Sequence, residues 1–206
     1  MLELREHVGL RLNDRPGIGA HVLRYPCAMA LTSDQATLVL NAAYLPQISA
    51  EHPITKAVIA AIPADKADYR PDTIVKSAFE LAWHIVSADI RFLEGTVSGS
   101  FDYGNSSPPE TVRTPADVVA WYADRFAAVV GRLKQMSGDH LLRILDFRGV
   151  FQFPAYAYVA IGMNHTVHHR GQLSMYLRPM GAKVPSIYGE SFDARQAREQ
   201  AQRTRG

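Results

Sequence analysis

Three histidines, His165, His168 and His169, fall within the nine residues NHTVHHRGQ that run from Asn164 to Gln172. The chain carries 8 histidines in 206 residues, so this cluster is the first feature able to do chemistry. Side chains three and four positions apart share one face of a helix. On a helix, His165 and His169 are neighbours one turn apart. Their row runs back through Tyr158 and Gly162 and on through Leu173, Tyr176 and Met180. Most of that row is apolar or aromatic, which turns it toward a core. His168 falls on the adjacent row with Ile161, Asn164 and Met175, nearer the edge of the buried face.

A further imidazole stands upstream. His84 lies in a segment with the apolar spacing of a half-buried helix, and Ser77, Leu81, Ala88 and Arg91 share its face. The small residues at 77 and 88 leave room beside the ring. Imidazoles from two facing helices, with no thiolate, suit zinc, nickel or another borderline divalent ion. Three protein ligands and an open position make the pattern of a catalytic site rather than a structural one. A plainer reading stands beside this one. A single helical histidine is usually a hydrogen-bonded core or surface residue, and a His-x-x-x-His pair is common. Zincin proteases share the spacing but need Glu directly after the first histidine as their base. Thr166 occupies that position, which argues against the protease reading.

Other polar residues are placed by their spacing. Gln172 lies about one turn from both His168 and His169 and can orient a ligand by hydrogen bonding. Tyr188, beside Gly189, can reach back over the site from the loop after Pro179. Plain packing is the alternative for both. Arg170 is expected as a surface or salt-bridging residue of the helix, and Glu80 and Asp89 in solvent. Trp121, Tyr122 and Phe126 are expected in the core.

The elements that must position these residues are helical. Four stretches have helical character: roughly 51–62, 72–94, 115–136 and 154–178. Asp72 or Thr73 can cap the second. Thr114 caps the third, with Pro115 in the first helical position. Pro179 stops the fourth. The segment 96–113 is rich in Gly, Ser and Pro and reads as a loop. LLRILDFRGVFQF, from Leu141 to Phe153, reads as extended chain or a short hairpin around Arg148-Gly149. The fold expected is an all-α four-helix bundle with long crossover connections, and metal sites in bundles are built between facing helices. The bundle is expected over residues 47–191. Residues 1–46, broken by Pro16, Gly17, Gly19 and Pro26, are expected to be an extension, partly disordered, or to precede a true start at Met29. Residues 192–206 form a basic tail expected to be disordered.

Composition narrows the classes. The chain is 47% hydrophobic and 20% charged, as in a globular protein. A formal charge of +2 gives no electrostatic reason to bind nucleic acid. Cys27 is alone, so no disulfide forms within the chain, and a reducing cytoplasm fits. No run reaches the roughly 20 apolar residues of a membrane span.

The stretch Asn164-His165-Thr166-Val167-His168-His169-Arg170-Gly171-Gln172-Leu173 resembles the signature of the DinB/YfiT-like metalloenzymes. The likeness continues through Tyr176-Leu177-Arg178, Gly181, Val184-Pro185 and Tyr188-Gly189. Upstream it takes in Tyr69-Arg70-Pro71, Ser77 and Leu81-Ala82-Trp83-His84. It covers roughly residues 50–191. The resemblance implies a four-helix bundle holding one divalent metal on His84, His165 and His169, with zinc or nickel the expected ion, and a homodimer. His168 falls beside the second ligand of the pair and is left out of the set. It further implies a thiol-dependent S-transferase, or a metal-dependent hydrolase, acting on a small molecule with a low-molecular-weight thiol as partner. The alternative is a stress-related protein that binds metal or a small ligand without catalysis. No Asp or Glu shares the ligand row of the fourth helix, which slightly favours thiol chemistry over a carboxylate-assisted hydrolysis.

Overall fold

The protein is described from a computed structural model over residues 31–104 and 106–204. Its helices are α1 (Ser33–Val39), α2 (Leu45–Ala60), α3 (Ala78–Ser98), α4 (Pro115–Leu133), α5 (Gly138–Leu142), α6 (Ala155–Leu177) and α7 (Phe192–Arg203). A π-helical segment, Leu40–Tyr44, joins α1 to α2. Strands β1 (Ile144–Phe147) and β2 (Phe151–Pro154) form an antiparallel hairpin before α6, with Leu145 opposite Phe153. No helix among the described residues is long and apolar enough to cross a membrane.

Four long helical units pack in a ring. α3 packs on α4 and α6, and α2 packs on the same two helices. Helices α2 and α3 therefore face each other across one diagonal, and α4 and α6 across the other. This is a four-helix bundle with crossover connections. The main core runs between the helices through Leu40, Val58, Ile85, Leu93, Val129, Val159, Leu173 and Leu177. A smaller cluster of Phe92, Leu145, Phe153, Ala155 and Tyr158 lies beneath the hairpin. Tyr158 Oη donates to the Leu145 carbonyl at 2.8 Å, which ties the hairpin to α6.

Several boundaries differ from the expected ones. The first helical unit starts at Ser33, not near residue 51. Thr32 caps it in a capping box with Gln35, and Ala36, Leu40 and Leu45 are buried. Residues 33–46 are thus part of the bundle rather than of an extension, and the expectation for 1–30 lies outside the described residues. Pro46 does not end the helix. The π turn comes directly before it, where a proline ring would strike an α-helical carbonyl, and a wider turn relieves that clash. The cap of α3 is Ser77, in a capping box with Glu80, rather than Asp72 or Thr73. Two reciprocal hydrogen bonds outweigh the earlier polar residues. The helix also runs through Gly95 to Gly99, because Phe101 packs where a side chain at 95 would stand. The tail expected to be disordered forms α7, capped by Ser191 and held by Arg178–Asp193 and Arg198–Glu190 ion pairs. The Arg148-Gly149 turn is as expected, with φ of 59° and 68°. α4 begins as expected at Thr114-Pro115, closed by Asp117.

Candidate metal centre

The centre is built by α3 and α6. These helices approach closely where Gly162 faces Phe92: a Cβ on Gly162 would stand 2.8 Å from Phe92 Cβ. Glycine at that position lets the two backbones come together. One turn further along α6, His165 and His169 meet His84 from α3. Ring centroids are 5.0 Å apart for His84 and His165, 4.7 Å for His84 and His169, and 4.4 Å for His165 and His169. One nitrogen from each ring lies within 4.8 Å of the others, a group able to hold a metal ion. All three side chains are half-buried, with protein on one side and solvent on the other. The structure thus brings together the three residues that spacing and resemblance selected. His168 is exposed and outside the group.

Hydrogen bonding orients one of the rings. Gln172 Oε1 accepts from Nδ1 of His169 at 2.7 Å, which leaves the Nε2 lone pair free to bind an ion. The Gln172 amide nitrogen donates to His168 Nε2 at 3.2 Å. His168 therefore fixes which way the amide points, and the amide fixes the tautomer of His169. His165 Nδ1 is buried with no hydrogen-bond partner in the protein. A buried imidazole nitrogen is costly in that state, and a ligand for it removes the cost. The donor set, three imidazoles with one ring oriented from behind, fits a borderline divalent ion.

The electrostatics keep two of the rings, His84 and His165, neutral. Burial, then the neighbouring His169, then Lys76 and Arg91, pushes His84 down to about 4. Burial, then His169, His84 and His168, pushes His165 down to about 4. Both are therefore deprotonated near neutrality and offer lone pairs without first losing a proton. No Asp or Glu joins the group among the described residues.

Two other polar expectations are corrected and one is narrowed. Tyr188 does not cap the histidines. Its hydroxyl accepts from Arg170 Nη2 at 2.6 Å and lies 3.1 Å from both carboxylate oxygens of Glu51. Of the two places expected for Arg170, it takes the salt-bridging one, and in the interior: it is 1% exposed and pairs with Glu51 at 2.6 Å and with Thr55 Oγ1 at 3.1 Å. A guanidinium taken from water needs acceptors on every side, and it draws Tyr188 to the far face of α6. The sequence held a signal for this. Thr166, Arg170, Leu173 and Leu177 form one helical stripe, and all four are buried. Asp89 is not solvated either. It is 4% exposed and accepts from Tyr122 Oη at 2.6 Å, and burial pushes its carboxyl up to about 6. Its position five residues after His84 turns it to the opposite side of α3, away from the histidines. Glu80 closes the α3 cap and pairs with Arg70 at 2.9 Å at the surface.

A four-helix bundle with a histidine trio between two adjacent helices defines a class, and the comparisons with known proteins give it a family. The DinB family profile matches residues 35–203, and the chain belongs to that family. The chain is 29% identical over 135 residues to the uncharacterized protein YjoA of Bacillus subtilis, covering 62% of this chain and 82% of YjoA. It is 34% identical over 113 residues to YrdA of the same organism, covering 53% of this chain and 64% of YrdA. The crystal structure of YjoA, a DinB-like protein, superposes with a TM-score of 0.59 at 23% identity, covering 70% of this chain and 96% of that one. A DinB-like protein from Bacillus cereus superposes with a TM-score of 0.60 at 24% identity, covering 70% and 95%. These two likenesses establish the fold.

Proposed function

We propose that the protein is a divalent-metal-dependent enzyme acting on a small molecule, with His84, His165 and His169 as the metal ligands and zinc or nickel as the ion. The observation that carries this reading is the histidine trio itself, half open to solvent and backed by the Gln172–His169 hydrogen bond. A divalent ion there would lower the pKa of a bound thiol or water, or polarise a carbonyl. The chain's own residues do the rest. Gln172 holds His169 with Nε2 outward, and His168 holds Gln172. Phe92, 6.0 Å from His165 between ring centroids, covers one side of the site with apolar surface.

Thiol transfer is favoured over hydrolysis by the missing base. Hydrolysis needs a group to take a proton from water, and no carboxylate stands in the histidine group among the described residues. A low-molecular-weight thiol ionises more readily and asks less of the protein. The reading includes a homodimer in the cytoplasm. The deciding experiment measures metal content by plasma mass spectrometry in untagged protein and tests turnover of a thiol with a panel of electrophiles. Stoichiometric metal with thiol-dependent turnover is the expected result. Stoichiometric metal without turnover on any thiol or ester would favour the alternative, a stress-related metal or ligand binder. Absence of metal from the wild-type protein would end the enzyme reading and the metal-binding form of the alternative, and leave a small-ligand binder.

A further inference from the structure

A cavity of about 540 Å³ lies between α3, the segment after it and α4. This is within the range of small-molecule sites, roughly 300–1,000 Å³. It is distinct from the histidine group but shares α3 with it. Trp83 and Ser87 flank His84 along the helix, and both line the cavity. The Ser87 hydroxyl donates to the His84 carbonyl at 3.4 Å. Seven residues beyond His84, on the same side of α3, stands Arg91. At a rise of about 1.5 Å per residue it lies about 10 Å along the axis from His84.

Two properties of the lining specify a ligand. The first is aromatic. The chain has two tryptophans, Trp83 and Trp121, and both line this cavity. Their rings meet edge to face at 4.7 Å between centroids. The Trp83 indole N–H donates to the Ser106 carbonyl at 2.6 Å, so its polar group is already used. Trp83 is 8% exposed and Trp121 is half-buried, so the ring surface the pair offers a ligand is chiefly that of Trp121.

The second property is charge. Arg91 is the one cation in the lining among the described residues, and it is half-buried. No carboxylate forms an ion pair with it among those residues. The obvious partner one turn away, Glu94, is taken by Arg132. Asp102 stands exposed at the rim, where its Oδ1 accepts from the Gly104 amide at 2.8 Å. A half-buried guanidinium with no ion-pair partner among the described residues is a good anchor for an anion, and its planar fork matches a carboxylate. A doubly charged phosphate would set two negative charges near Glu94 and Asp102 against one guanidinium. A single carboxylate avoids that cost.

We propose that this cavity binds a small monocarboxylate with a flat apolar or aromatic body, its carboxylate on Arg91 and its body against Trp83 and Trp121. His84, His165 and His169 do not line this cavity, so the site proposed is separate from the histidine group and stands without the metal-enzyme reading.

The two tryptophans make the test direct. The full chain, loaded with cobalt, is titrated with 3-phenylpropanoate and separately with its neutral isostere 3-phenylpropanamide while tryptophan emission is followed. The acid is expected to shift the emission saturably and to bind roughly tenfold more tightly than the amide, the worth of a charge-assisted contact. Arg91→Met keeps the apolar stem and removes the charge, and it is expected to bind both probes alike. Equal binding of acid and amide by the unmodified protein would overturn the proposal, and so would the absence of any saturable emission change. A preference for the acid that survives in Arg91→Met would also overturn it. The acid and amide comparison needs no variant, so it still decides the matter if Arg91→Met fails to fold. Cobalt absorption, read on the same samples, reports on the histidines separately. A preference for the acid in a chain that takes up no cobalt would support the carboxylate site and overturn the metal reading.

Discussion

His169 and Arg170 are consecutive residues of α6, and their side chains meet opposite conditions. His169 belongs to a group of half-buried rings that keeps lone pairs unspent, and one nitrogen in that group has no partner at all. Arg170, a step further round the helix, is almost fully buried, and its guanidinium is met by Glu51, Thr55 and Tyr188. The clasp is saturated and the histidine group is not. Saturation is what a structural polar cluster requires, because each unmet group costs free energy. His52 Nε2 is buried and unmet as well, but of the two histidines only His165 belongs to a cluster able to hold a metal ion. The contrast separates a clasp that holds the bundle from a group left free to take a ligand.

The largest effect expected from breaking the contrast is on the histidine side. His165→Ala with His169→Ala should reduce bound metal to background by plasma mass spectrometry, since a single imidazole cannot hold the ion. The metal-free variant should melt at or above the temperature of the metal-free wild type, because two dehydrated rings have been removed. Full metal retention in that variant would remove the functional half of the comparison. On the clasp side, Arg170→Met should cost about 3–5 kcal/mol in denaturant unfolding, because it strands the Glu51 carboxylate. Adding Glu51→Gln should recover part of that loss. A single variant as stable as the wild type would show that the clasp holds nothing.

A smaller effect lies behind the ligands. Gln172→Ala should weaken metal binding about 10–100-fold while leaving the melting temperature of the metal-free protein nearly unchanged. An unchanged affinity would mean that His169 needs no help in choosing its tautomer. The smallest effect concerns the buried pair of Asp89 and Tyr122. In the folded protein Asp89 titrates near 6, above its ordinary value of 3.8. The folded state therefore holds this proton more tightly than the unfolded chain. Its contribution to stability is full below about pH 4 and is lost as pH rises through 6. The histidines run the other way, so wild type and variant must be compared at each pH. Asp89→Asn should gain about 1–2 kcal/mol relative to wild type between pH 4.5 and 7.5, since a rise from 3.8 to about 6 is roughly a hundredfold in proton affinity, worth about 3 kcal/mol before the site relaxes and takes up part of it. A flat difference across that range would show that Asp89 is not held neutral.

The histidine trio was legible because it follows from local periodicity and a specific motif. His165 and His169 share a row by helix geometry alone, and the family resemblance joined His84 to them. The contact between Gln172 and His169 was legible for the same reason, being within one turn. What could not be read depended on contacts between distant segments. Nothing near Arg170 in sequence announces Glu51 or Tyr188, and the buried stripe it sits on was overruled by its charge. Asp89 was missed in the same way, since its partner comes from α4. The start of the first helix was hidden by Pro46, because a π turn that accommodates a proline leaves no plain sequence mark. The close approach at Gly162 was visible only as a glycine in a helix.

The helices that form the histidine group are neighbours in space but not along the chain. Between His84 and His165 the polypeptide must first lay down α4, α5 and the hairpin. Closing so long an interval is among the slower acts of folding, since its entropy is spent before any contact returns it. During synthesis His84 emerges well before the last long helix, and no ligand set exists until α6 has docked on α3. An ion held by these residues would therefore arrive as a late guest in a finished bundle, not as the seed around which the bundle gathers. Metal supply in the cell would then govern how much of the protein is active, and not how much of it folds.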